Sequence, residues 1–247
     1  MIKVKKDELL ANFLVAVEHL TNYKAPQQLL RHSSIKDAFL WFPIVGLLVG
    51  FVTTLISFTL FSIFEQPLVL MAVVSGLIYS SLVYYLERDH GINALVKVVK
   101  FLPRINTDNE LLLLLNEHKA TVVLSLSVLC KVGISSILVY QGLHWWLILP
   151  SVLSAAIIGY FAGSSKKAEL GLTKLKSEWP LIIAFVISVL IGKVAGFAIA
   201  AIISYFIVKT FNLIFKQQEK VQFIYLIALT ELVSCGTLIG SVLLYFT

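Results

Sequence analysis

The sequence predicts an all-α, polytopic helical bundle in a membrane, and three observations support this prediction. Hydrophobic residues make up 58% of the 247 residues and charged residues only 14%. The mean hydropathy is +0.90. A soluble domain carries roughly 25% charged residues, so this chain has too few to cover a water-facing surface. Apolar runs of about 20 residues, the length of a membrane-crossing helix, recur along the chain. A soluble globule is thereby excluded, and so is a disordered chain.

The first predicted unit is a cytoplasmic amphipathic segment, residues 1–37. Its apolar side chains recur at helical spacing, with acidic residues elsewhere around the helix. The apolar set is Leu9, Leu10, Phe13, Leu14, Val17 and Leu20, and the acidic set is Asp7, Glu8 and Glu18. This pattern predicts a helix that lies in the membrane interface.

The second predicted unit, residues 38–247, is a single transmembrane domain of six or seven spans. The candidate spans are 38–64, 67–86, 121–140, 143–162, 180–208 and 223–246. The fifth run contains Lys193 near its middle. It is either one long tilted helix or a broken hairpin that turns back at 192–196, and we favour the hairpin because of the charges that follow it.

Positive charges decide the predicted orientation. Six Lys and Arg residues precede Ala38, and the loops 87–120, 163–179 and 209–222 hold five, four and three more. Because cytoplasmic loops accumulate these residues, we predict a multi-pass protein of the cell inner membrane with its N-terminus and basic loops in the cytoplasm. This also explains the net charge of +6. No aromatic-basic RNA motif is present, and nucleic acid is not an expected partner.

Three ionisable residues lie inside predicted spans: Lys131, Lys193 and Glu231. Such residues are costly in a bilayer and therefore informative. One arrangement pairs Lys193 with Glu231 inside the bundle. A substrate-facing role and snorkelling near a span end are the open alternatives.

The polar loop after the second span holds the densest set of chemical groups. Glu87, Asp89 and His90 follow that span directly, and Glu117 and Lys119 precede the next one. Carboxylates placed in this way can hold Mg²⁺ between protein and phosphate oxygens. Solvated juxtamembrane charges are the alternative.

Several phrases occur in the order found in a known family. Residues 13–22 stand where the family has a Phe-Leu-Thr-Arg-Ile-Pro-like phrase. Trp41-Phe42-Pro43-Ile44-Val45-Gly46 is similar to its Phe-Phe-Pro-Leu-Val-Gly opening of the first span, and residues 166–171 are similar to an Arg-x-x-Gly-Leu-Gly stretch. In this order of features the chain resembles cobalamin synthase, the integral-membrane adenosylcobinamide-GDP ribazoletransferase family.

The chain departs from the family in its acidic loop. Arg88, His90 and Ala94 stand at the histidine and the two aspartates of a His-x-Asp-Gly-Leu-x-Asp motif, and Asp89 is one position out of register. In the next motif, Lys-Asp-Ser-Arg, residues 116–119 read Asn-Glu-His-Lys. Glutamate for aspartate and lysine for arginine keep the charges but change reach and geometry.

The resemblance implies that α-ribazole, or its phosphate, replaces GMP on the corrinoid nucleotide adenosylcobinamide-GDP. The residues it implies are Asp89, His90 and Glu117 for catalysis, Asp89, Glu117 and Glu87 for Mg²⁺, and Lys119, Lys166 and Lys167 for phosphate. The alternatives are a catalytically altered or inactive relative and a small transporter-like protein. Homo-oligomerisation stays open.

Overall fold

The computed structural model describes residues 2–32, 35–63, 68–86, 110–165, 174–214, 231 and 233–244. The described residues are helical apart from short turns and include no strand, which confirms the predicted all-α class. The helices are α1 (Ile2–Leu20), α2 (Ile35–Ala38), α3 (Phe42–Ile63), α4 (Leu68–Leu86), α5 (Glu110–Tyr140), α6 (Ile148–Ser165), α7 (Lys174–Ile214) and α8 (Val233–Leu244).

Two helical segments are long and apolar enough to cross a membrane, judged by length and composition. They are Phe39–Ile63, which includes the short 3₁₀ turn before α3, and Leu68–Leu86. Shorter apolar helices at Leu124–Tyr140, His144–Tyr160 and Val233–Leu244 coincide with three further predicted spans. The total number of spans, six or seven, therefore stays a prediction.

Helices extend into segments that we predicted as loops. Helix α5 begins at Glu110, so 110–120 of the predicted loop 87–120 is helical. Helix α6 runs to Ser165 and α7 begins at Lys174, which shortens the predicted loop 163–179 at both ends. Helix α7 also runs to Ile214, five residues past Lys209. Hydropathy marks where apolar residues stop, whereas a helix continues through polar residues of good propensity.

Helices α3 and α6 pack antiparallel at very close range. A Cβ atom on Gly46 would lie 2.5 Å from the Ser151 carbonyl oxygen, and one on Gly50 would lie 3.0 Å from the Ile148 Cα. Two glycines four residues apart form a flat strip on one helix face, which lets two backbones approach in a membrane. The phrase at 41–46 thus opens a helix–helix contact, with Phe42 and Val45 buried beside Gly46.

Helices α4 and α5 are antiparallel as well, and small residues line their contact. A Cβ on Gly76 would lie 2.8 Å from the Val132 carbonyl oxygen. The Ser135 hydroxyl donates to the Gly76 carbonyl at 3.3 Å. On the neighbouring side of α4, the Ser57 hydroxyl donates to the Ser75 carbonyl at 3.1 Å and joins α4 to α3.

Because these helices pack antiparallel, several helix termini lie at one end of the bundle, which we call the loop end. Helices α3, α5 and α7 begin there, and α4 and α6 end there. Two contacts mark it: the Asn22 amide donates to the Tyr85 carbonyl near the end of α4, and Gly159 of α6 packs against Pro180 of α7. The ends of α4 and α6, after which the connections 87–109 and 166–173 follow, therefore both lie at the loop end.

Helix α1 packs on the bundle through a face that combines small residues with Phe13 and Leu20. Ala11, Val15 and Ala16 are buried, while Leu9 and Leu10 are 50% and 51% exposed. Helix α1 therefore uses only part of its predicted apolar stripe for protein contact, and two leucines remain outside.

Helix α7 breaks at Lys193, inside the predicted turn at 192–196. Lys193 has φ 51° and ψ −132°, which is not helical. The Gly196 backbone lies against the Ser188 carbonyl, so closely that a Cβ on Gly196 would overlap it. In a continuous helix, residues eight apart are about 12 Å apart along the axis, so the chain turns back on itself here. The predicted break is confirmed.

Replacing Lys193 by glycine is expected to stabilise the protein by about 1 kcal/mol, because glycine adopts a positive φ without a Cβ penalty. For a chain of this size that is a rise of roughly 2–4 °C in melting temperature, measured in detergent. Gly142→Ala is the opposite control, because Gly142 has φ 74° and alanine there should lower the melting temperature. An unchanged or lower value for Lys193→Gly would contradict this account of the turn.

Candidate functional site

Most of the predicted site lies outside the described residues. Glu87, Asp89 and His90 belong to the connection after α4, and Lys166 and Lys167 belong to the connection after α6. Their predicted roles therefore stay predictions.

Glu117 and Lys119 lie on α5, within the described helix. Gly76 faces Ser136, and Tyr84 and Ser127 meet at a common partner, Glu231, which lies just before α8. Continuing this antiparallel pairing, Leu86 at the end of α4 falls opposite residue 125 of α5. The first 15 or so residues of α5, about 22 Å of helix, therefore extend beyond α4. Positions 117 and 119 lie in this extension, on the side where residue 87 leaves α4.

Among the described residues, no three His, Cys, Asp or Glu side chains come together as a metal site. The carboxylates predicted for Mg²⁺, those of Glu87, Asp89 and Glu117, are not among the described side chains. The Mg²⁺ prediction thus rests on the sequence and on the position of Glu117 in α5.

A buried polar cluster does lie within the described bundle, beneath the loop end. Lys131 Nζ lies 2.6 Å from Glu231 Oε2, and these two residues are only 2% and 5% exposed. The Ser127 hydroxyl donates to Glu231 Oε1 at 2.5 Å. The Tyr84 hydroxyl donates to the same oxygen at 3.2 Å. Helices α4 and α5 and the segment before α8 thus meet at one carboxylate.

Two more contacts complete this cluster. Lys131 Nζ lies 4.5 Å from the centre of the Tyr84 ring, a cation–π contact. The Ser127 hydroxyl lies 3.6 Å from Cys235 Sγ on α8. Both Glu231 oxygens and the lysine ammonium have partners, as a charged pair in a low-dielectric interior requires.

The predicted pairing of Lys193 with Glu231 is wrong, because the cation at Glu231 is Lys131. The Lys193 side chain is exposed, at the turn that breaks α7. Sequence analysis also missed Tyr84 and Ser127 as partners of Glu231. A signal for Ser127 was present: it lies four residues before Lys131, so the two share one face of α5.

Comparison with known proteins gives one match. Residues 12–85 match the family model described as cobalamin-5-phosphate synthase. No curated protein and no solved structure matches the chain. The matched residues include the phrase at 41–46 and all of α3 and α4. The match supports a role in cobalamin biosynthesis, which for this family is that of a transferase. The predicted resemblance to the cobalamin synthase family is therefore confirmed as a partial match, over residues 12–85.

Proposed function

We propose that the chain is a membrane transferase that joins adenosylcobinamide-GDP with α-ribazole, or α-ribazole phosphate, and releases GMP. The observation that carries this proposal is the family match over residues 12–85. The substrates are phosphorylated, and the proposed binding groups are cationic and metal-binding side chains at the loop end. The arrangement of helices supports this, because α4 and α6, which precede the connections 87–109 and 166–173, end at the same end of the bundle.

A membrane location is part of the proposal. Only 39% of the apolar segment that includes α3, and 33% of the apolar segment of α4, is buried inside the protein. Large apolar side chains such as Phe51, Leu55 and Leu77 are more than 40% exposed. A core helix of a soluble protein buries such side chains, whereas a membrane helix turns them to lipid. We propose that the loop end faces the cytoplasm, because the basic segments adjoin it.

The chemistry proposed at the loop end is phosphoryl-type displacement, in which positioning and charge neutralisation contribute most. Asp89, Glu117 and Glu87 would hold Mg²⁺, which when bound neutralises phosphate charge. His90 would bind the metal or accept a proton from the attacking group. Lysines 119, 166 and 167 would bind phosphate oxygens as point charges.

Alanine at Asp89 and at Glu117 is expected to lower cobalamin formation about a hundredfold or more, since even groups that only orient a metal ligand contribute 10–100-fold. The assay supplies adenosylcobinamide-GDP and α-ribazole to membranes that contain equal amounts of each variant. Glu65→Ala is the control, because residue 65 lies in the connection between α3 and α4, away from the loop end. Full activity in Asp89→Ala and Glu117→Ala would overturn the site assignment.

A catalytically altered relative is the second candidate, and the departures at Arg88, His90 and Ala94 favour it. Complementation of a strain that lacks cobalamin synthase separates the two candidates, because an inactive relative does not restore cobalamin formation. The transporter alternative depended on a polar path through Lys193 and Glu231. Glu231 instead contacts Lys131 and Lys193 is exposed, so the described residues form no such path.

A further inference from the structure

A cavity of about 420 Å³ lies between α1, the start of α3 and the first leg of α7. Its walls are mostly apolar, with Leu9, Leu40, Ile44 and Ile183 around the ring of Trp41. This ring packs edge-on against Phe13 of α1, with ring centres 5.6 Å apart. The volume lies in the range of small-molecule sites, about 300–1,000 Å³.

The polar residues of this cavity carry one sign of charge. Glu8 and Asp37 line it together with Asn12, and no Lys, Arg or His is among the described residues that line it. Glu8 is exposed and Asp37 is half-buried, so both carboxylates are within reach of a ligand. This acidic pair stands out in a chain with a net charge of +6. Charge complementarity therefore favours a cationic head group.

The surroundings favour a lipid over a soluble amine. Leu9 lines the cavity and is 50% exposed, and the neighbouring Leu10 is 51% exposed. Trp41 lies at the start of an apolar helix, where aromatic residues mark the membrane interface. The apolar walls thus continue into surface that faces acyl chains, whereas the carboxylates lie at the head-group level.

We propose that this cavity binds a phospholipid with a primary ammonium head group, phosphatidylethanolamine. The ammonium donates hydrogen bonds to the carboxylates of Glu8 and Asp37, and the start of the acyl chains lies against Leu40, Ile44 and Ile183. Charge-assisted hydrogen bonds of this kind are the stronger class. The proposed binding requires no catalytic step.

The test uses the full chain in detergent, titrated with defined lipids, and the bound fraction is read by native mass spectrometry. Phosphatidylethanolamine is expected to bind more tightly than phosphatidylcholine, whose quaternary ammonium donates no N–H hydrogen bond, and than anionic phosphatidylglycerol. The double variant Glu8→Gln/Asp37→Asn should bind phosphatidylethanolamine about tenfold more weakly or worse, because the hydrogen bonds from the ammonium lose their charge assistance.

The matched control is Asp7→Asn/Glu18→Gln, which removes the same number of negative charges and alters no residue that lines the cavity. This control should bind phosphatidylethanolamine as the unaltered chain does. Equal loss in both double variants would show a general surface-charge effect and overturn the proposal. Equal binding of phosphatidylglycerol would overturn it as well. The comparison of the three lipids on the unaltered chain needs no variant. It therefore tests the preference for phosphatidylethanolamine even if a substitution impairs folding.

Discussion

Replacing Lys131 by methionine is expected to destabilise the folded protein by about 3–5 kcal/mol, the usual cost of removing one partner of a buried ion pair. Methionine keeps most of the apolar length of the lysine side chain and removes its charge. Glu231, 5% exposed, then loses a cation 2.6 Å away. The hydrogen bonds from Ser127 and Tyr84 remain, but they do not neutralise the carboxylate. Unfolding in mixed detergent micelles measures the change.

The double variant Lys131→Met/Glu231→Gln is the decisive comparison. It removes both charges, and a buried pair replaced by neutral residues of similar volume costs little. We therefore expect the double variant to be more stable than Lys131→Met alone. The interaction energy between the two side chains, obtained from the double-mutant cycle, is expected to be about 2 kcal/mol or more. Additive losses would show that the two side chains act independently. Lys193→Met is the control for loss of a lysine charge, because Lys193 is exposed and has no role at Glu231.

The apolar helices could be predicted closely from the sequence. Span 67–86 corresponds to Leu68–Leu86 and span 38–64 to Phe39–Ile63. A long uncharged run in a membrane must satisfy its backbone internally, and a helix does so. The break in α7 could also be predicted, because Gly192 and Gly196 flank a lysine within an apolar run. The start of α5 could not, since the polar run 116–119 separates the five leucines at 111–115 from the predicted span 121–140.

The partner of Glu231 could not be predicted because it depends on which helices are neighbours. Lys131 and Lys193 are both single cations in apolar runs, and the sequence alone ranks neither above the other. The structure decides between them, because α5 lies beside Glu231. For the proposed transferase site the sequence supplied all the residues. The structure adds that 117 and 119 lie on a helix that extends past the end of α4.

The second large effect on stability is expected at the contact between α3 and α6, where the two helix backbones lie close together. Leucine at Gly46 is expected to destabilise the protein by about 3 kcal/mol or more, at or above the upper end of overpacking costs. Even a single Cβ there would lie 2.5 Å from the Ser151 carbonyl oxygen and 2.8 Å from Ala155 Cβ. Backbone atoms cannot rotate away, so α3 and α6 must separate. Gly50→Leu should behave similarly, because a Cβ there meets the Ile148 backbone at 3.0 Å.

Gly133 on α5 provides a control with the opposite sign. It is exposed, and a Cβ there meets nothing within 4 Å. Alanine at this position should therefore stabilise the protein by about 0.5–1 kcal/mol, the usual gain over glycine within a helix. Comparing Gly46→Ala with Gly133→Ala by thermal unfolding in detergent separates close packing from helix propensity. If both alanine variants were stabilised, α3 and α6 would not be in direct backbone contact.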